Sequence, residues 1–166
     1  MDILYHGVVG YAIAKSLGGK YETAGVIAAM FPDIVGSIPY FYFKLKEVST
    51  KSWKSFWRDI RAIPFKNKFK NTIDRAPYHL THSFFFSALV SALTYLFFRP
   101  AWLVVTLSYC SHIIIDIPTH DGDFATHFLY PFSDFHVEAR NWAKNPGRFF
   151  TFWGCLITSL FLLRII

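Results

Sequence analysis

Three stretches of the chain, residues 84–98, 100–115 and 149–163, carry no formally charged side chain. They are 15, 16 and 15 residues long, somewhat short of the roughly 20 apolar residues of a membrane-spanning helix. With their flanks they extend to 80–98, 100–118 and 147–166, and the pattern predicts membrane helices there. A fourth apolar stretch, 23–43, is interrupted by Asp33 and by Pro32 and Pro39, which are expected to break it. Near the start, 3–17 and 22–31 read as a helical hairpin turning at Gly18-Gly19. The opening segment lacks a basic leader and carries His6 inside its apolar run, so it is not read as a cleaved signal peptide.

Composition agrees with a helical, greasy protein. Of 166 residues 53% are hydrophobic, 20% aromatic and 17% charged, against about 25% charged in a typical soluble domain. Disorder, a collagen-like fibre and a disulfide-stapled module are excluded on these figures. The two cysteines, Cys110 and Cys155, lie in apolar runs and give no sign of an oxidising compartment. The expected fold is an all-α, membrane-associated bundle of about five to six helices, read as one domain over 1–166. A soluble bundle with unusually apolar helices is the alternative.

Charge divides the chain. The net charge of +6 belongs to residues 44–75, where ten Lys/Arg face Glu47, Asp59 and Asp74 for a local +7; the remainder sums to −1. Within this insert Trp53, Phe56, Trp57, Ile60 and Ile63 follow helical spacing, interleaved with Lys51, Lys54, Arg58 and Arg61. Aromatics on one face and cations on the other suit a helix lying on an anionic leaflet, and equally an amphipathic helix packed on its own protein. Placing the insert in the cytoplasm orients the helices that begin near His79 and end near Asp116 so that both ends lie on that side. The polar residues then gather at one membrane face.

Those polar residues are the candidate chemistry. His112 and Asp116 stand four positions apart, on one helical face, at the end of an apolar run. Burying both there is costly unless they are paired or hold a metal. Thr81-His82-Ser83 precedes another uncharged run, with His79 one turn earlier; either hydroxyl orients His82 or simply caps the helix. Asp33 follows the helix-breaking Pro32, as a functional carboxylate or a cap. His6 is the weakest signal of the set. Three imidazoles and two carboxylates suit Zn²⁺, Mn²⁺ or Fe²⁺, zinc first, and the absence of cysteine disfavours a structural zinc.

His6, Phe31-Pro32-Asp33-Ile34, Thr81-His82-Ser83, His112-x-x-x-Asp116 and Leu129-Tyr130-Pro131-Phe132-Ser133 together resemble the inner-membrane, metal-dependent hydrolases of the YdjM type, also described as LexA-binding hydrolases. That family is in turn distantly similar to zinc-dependent phospholipase C, an all-α fold with clustered metal ions. The resemblance implies His6, Asp33, His82, His112 and Asp116 as ligands, with Asp116 bridging two ions. Two elements depart from the pattern: Arg75-Ala76-Pro77-Tyr78-His79 replaces a His-Arg-Gly, and a later His-x-x-x-Glu is missing. One or two ions are therefore expected rather than three.

The function implied is a membrane-bound hydrolase acting on a phosphoester or ester of an anionic, lipid-like substrate, with the site on the cytoplasmic side of an inner membrane. The metals would lower the pKa of bound water from about 15.7 toward about 7. Asp33 is the candidate to take the water's proton. His120 is the candidate leaving-group acid, and with Asp121 and Asp123 it is also a candidate for orienting the ligands. The rival reading is a non-catalytic membrane protein that binds a protein partner or acidic lipid through 44–75. Nucleic-acid binding is disfavoured, because the aromatics of the insert lie at helical spacing rather than forming a stacking platform.

Overall fold

The computed structural model describes residues 3–49, 72–139 and 146–165. Among these are six α-helices and no strand, an all-α fold: α1 (Ile3–Ser16), α2 (Glu22–Ser49), α3 (Thr72–Thr81), α4 (Phe84–Phe97), α5 (Trp102–Asp116) and α6 (Pro146–Leu162). The basic amphipathic helix expected within 44–75 falls mainly on 50–71, outside the described residues.

The hairpin of α1 and α2 turns where expected. Gly18 and Gly19 take φ of 101° and 68°, left-handed values that a side chain would strain. Lys15 and Glu22 pair across the turn at 3.1 Å. The two helices touch at glycine: a Cβ on Gly25 would lie 2.5 Å from the Gly10 carbonyl oxygen, and one on Gly10 would lie 2.7 Å from the Ala29 Cβ. Only a bare backbone permits that approach.

Pro32 and Pro39 do not break α2, contrary to expectation; the helix runs through both. A proline inside a helix removes one hydrogen bond and costs about 3 kcal/mol in isolation. Here α2 is the central helix, packed on α1, α3 and α5, and tertiary contact offsets the loss. The carbonyls of the disturbed turn also find side-chain donors. Ala29 O accepts from His112 Nδ1 at 2.7 Å, and Pro32 O lies 3.3 Å from the Thr81 hydroxyl, which it shares with the nearer Pro77 and Tyr78 carbonyls.

The membrane helices expected at 80–98, 100–118 and 147–166 are shorter than the pattern suggested, at 14, 15 and 17 residues. Among the described residues no single helix is long and apolar enough to cross a membrane. One bent pair, residues 75–81 with 84–97, meets the length and hydropathy together, with a 59° break. His82 and Ser83 form that break. Ser83 is the N-cap of α4, its Oγ accepting from the Phe86 N–H at 3.2 Å, so one polar residue ends a helix while its neighbour is free to point inward. A short 3₁₀ turn at Arg99–Ala101 then reverses the chain into α5.

Burial is inverted relative to a water-soluble bundle. His6, Asp33, His82, His112, Asp116 and His120 are all at most 2% exposed. The outward faces carry Leu89, Leu93, Leu96 and Phe97 on α4, Leu103, Leu107 and Ile114 on α5, and Ile157 and Phe161 on α6, all exposed. The centre is polar and the surface apolar.

Candidate metal centre

Each helix of the core delivers one or two of the buried polar groups. His6 comes from α1, Asp33 from the turn after Pro32 in α2, His82 from the break between α3 and α4, and His112 with Asp116 from one face of α5. Ligand atoms of Asp33, His82, His112 and Asp116 all lie within 4.8 Å of one another, a cluster that could hold a metal ion. Of the expected set, His6 joins it as well. Its Nε2 is 3.1 Å from Asp116 Oδ1, and its ring lies 3.9 Å from that of His112.

The hydrogen bonds decide the chemistry of the imidazoles. His112 donates its Nδ1–H to Ala29 O, and His82 donates its Nδ1–H to Tyr78 O at 2.8 Å. In a neutral ring this leaves Nε2 as a bare lone pair. His112 Nε2 then faces Asp116 Oδ2 at 3.1 Å and Asp33 Oδ1 at 3.7 Å. His82 Nε2 faces Asp33 Oδ1 at 3.3 Å and Asp116 Oδ2 at 3.6 Å. Four acceptors converge with no donor between them, and two carboxylates are buried with charge −2. A divalent cation satisfies both conditions at once, and backbone-tied imidazoles are the usual outer support of such a site. Asp33 Oδ2, His112 Nε2 and both Asp116 oxygens lack a hydrogen-bond partner among the described residues.

Asp116 faces two ways. Its Oδ2 looks toward His112 and His82, while its Oδ1 looks toward His6 and toward His120 Nδ1 at 3.3 Å. His120 is presented much as His82 is. In Thr81-His82 the threonine hydroxyl bonds the carbonyl four residues back (Pro77, 3.0 Å), and the histidine Nδ1 does the same to Tyr78. In Thr119-His120 the hydroxyl bonds Ile115 O at 2.8 Å, and Nδ1 bonds Asp116 O at 3.2 Å. His120 Nε2 is buried without a partner. Burial holds the His120 pKa below the ordinary histidine value, against the opposing pull of Asp116, so the ring is neutral near pH 7.

The loop after α5 closes the site. Phe84 N–H donates to Phe128 O at 2.9 Å and Tyr78 donates its phenol to Phe124 O at 3.2 Å, lacing the loop onto α3 and α4. Tyr78 stacks on His82 with centroids 3.9 Å apart, and Tyr109 donates to Thr81 O at 2.8 Å. Gly36 lets α2 approach this corner: a Cβ there would lie 2.8 Å from Thr81 Oγ1 and 3.3 Å from His82 Cε1. Asp121, a candidate from sequence, is not a member of the four-residue cluster, and the side chain of Asp123 lies outside the described residues. The orienting carbonyls, the tyrosines and the glycine were not anticipated. The repeated Thr-His pair was the one legible signal for His120 as a partner of His82.

No curated relative and no solved structure matches the chain significantly. The family model described as YdjM inner membrane protein matches residues 1–165, which places the chain at the inner membrane and agrees with its apolar outer faces. The early histidine, the proline-borne aspartate, the Thr-His-Ser break and the His-x-x-x-Asp turn thus meet in one buried cluster, and the chain belongs to the YdjM inner membrane protein family.

Proposed function

We propose that the protein is a metal-dependent hydrolase that cleaves a phosphoester or ester bond of an anionic, lipid-like substrate. The observation that carries this reading is the meeting of two lone-pair imidazoles with two carboxylates in a buried cluster that has no donor of its own. Asp33, His82, His112 and Asp116 would hold the ion, zinc first, with manganese or iron as alternatives. A bound divalent ion supplies Lewis-acid polarisation of the substrate oxygen and acidifies water at the site.

The chain's own groups have distinct parts. Asp33 Oδ2, unpartnered while Oδ1 faces His82, is placed to accept a proton. His82 and His112 keep their lone pairs aimed inward because Tyr78 and Ala29 carbonyls hold the opposite nitrogen. Asp116 Oδ1 and His6 Nε2, 3.1 Å apart, would contribute to holding a second ion, with the Nδ1–H of His120 directed at Asp116. In a one-ion enzyme the free Nε2 of His120 would instead first take up the proton released by the attacking water and then pass that proton to the leaving group. The basic segment would recruit the anionic substrate at the cytoplasmic leaflet.

The test is metal analysis of purified protein together with hydrolysis of a chromogenic phosphodiester and a chromogenic carboxylic ester. About one or two transition-metal ions per chain are expected at the inner cluster, lost together with turnover in the double variant His112→Ala, Asp116→Ala. Less than about one ion per chain, or no loss of bound metal on going from the unaltered chain to that double variant, would overturn the reading.

A further inference from the structure

A second group of histidines lies outside the cluster. His79 is on α3, and His127 and His136 are on the loop that follows α5. Their rings lie in a row, His79 tilted by 45° against His127 with centroids 4.0 Å apart and His127 stacked on His136 at 4.4 Å. His136 donates its Nδ1–H to Asp134 O at 2.9 Å, and its Nε2 lies 3.2 Å from Glu138 Oε1. The other Glu138 oxygen accepts from the Gly122 N–H at 3.4 Å, fixing the carboxylate's direction. His79 Nδ1 and His127 Nδ1 are buried with no hydrogen-bond partner among the described residues.

We propose that His79, His127, His136 and Glu138 form a second, outer binding site for a divalent transition metal. Three imidazoles and one carboxylate are a donor set that zinc, nickel and copper accept. The three rings lie with centroids 4.0 and 4.4 Å apart, so side-chain rotation would be needed to turn their nitrogens onto one ion; the His136 side chain is a third exposed. A metal also satisfies the His79 and His127 Nδ1 atoms that are otherwise buried and unbonded. Arg75, one turn before His79, would favour an anion at the same place; Glu138 and Asp134 on the loop weigh the charge toward a cation. The outer site borders the inner one through Tyr78, whose ring lies 5.7 Å from His79 and 3.9 Å from His82. Its existence does not depend on hydrolysis.

The test uses the full chain with its inner ligands disabled by His112→Ala and Asp116→Ala, titrated with Zn²⁺ by calorimetry and with Co²⁺ by visible absorption. One ion per chain is expected to remain, with a tetrahedral cobalt spectrum rich in nitrogen ligation. Adding His127→Ala should abolish it. His136→Ala and Glu138→Gln, both at partly exposed positions that leave the fold intact by circular dichroism, should each weaken it about tenfold or more. Zinc binding unchanged in those two variants would overturn the proposal. So would the absence of any ion in the inner-site variant, provided circular dichroism shows it folded, or binding of inorganic phosphate in place of zinc.

Discussion

His112 Nε2 and Asp116 Oδ2 lie 3.1 Å apart on one turn of α5, with the imidazole's other nitrogen donating to a carbonyl of α2. With the ring neutral the nitrogen is an acceptor facing an acceptor, an arrangement relieved by a proton on Nε2 or by a metal cation between the two. Asp116→Asn preserves the volume and removes the charge and the bridge. Metal affinity at the inner site is expected to fall by about 100-fold or more, read by competition with a chromogenic chelator.

The hairpin register is set by glycine. Gly10→Ala drives a methyl group against the Gly25 carbonyl and the Ala29 Cβ, and so pushes α1 from α2. Overpacking of this kind costs about 1–3 kcal/mol. Because His6 sits one turn before Gly10, the variant should also lose affinity for a second ion while the first, held by α2, α4's lead-in and α5, is kept. Thermal denaturation and two-step metal titration separate the effects.

Tyr109→Phe removes one hydroxyl and leaves the buried Thr81 carbonyl without its donor. The expected loss is about 1–3 kcal/mol of stability. As Thr81 precedes His82, a metal affinity about tenfold weaker is expected as well. Leu103→Ala, on the outward face of the same helix, is the control and should leave metal affinity unchanged.

Acid should destabilise the metal-free protein before its carboxylates titrate. His120 is held below the ordinary value of about 6.5 by burial, against the pull of Asp116, and His127 is held below it by burial and then by His136. For both, the unfolded chain binds more protons between the folded value and 6.5, so their contribution is complete above about 6.5 and lost as pH falls below it. His136 runs the other way: the Asp134 carbonyl first, and Glu138, raise its pKa, giving stability that is full below about 6.5 and lost on raising the pH through the folded value. The melting temperature measured from pH 7 to pH 5 should fall. His120→Gln should flatten the fall, and His136→Gln should steepen it.

The residues of the inner cluster were legible in the sequence because charge and histidine are conspicuous in an apolar chain. His112 and Asp116 declared a shared face by spacing alone, and Gly18-Gly19 declared the turn. The effect of Pro32 was not legible: local chemistry favours a break, and the outcome depended on three helices that pack around α2 and on donors from Thr81 and His112, distant in sequence. Helix length was overread for a related reason. An uncharged run does not reveal that His82 and Ser83 end one helix and start another. His120 was legible as a group close after Asp116, but the row of His79, His127 and His136 was visible as residues and not as neighbours, since the loop that brings them together carries no periodicity.

The inversion of burial has a consequence for the life of the protein in the cell. In lipid, apolar helix faces gain little by packing together, so association rests on close small-residue contacts and on polar groups at the centre. Here those are the glycines of α1 and α2 and the cluster itself. An ion at 100 times its dissociation constant adds about 2.7 kcal/mol to the folded state. Metal supply would then govern not only turnover but how much of the protein escapes degradation, and a cell starved of the ion would hold less of the chain as well as a less active one.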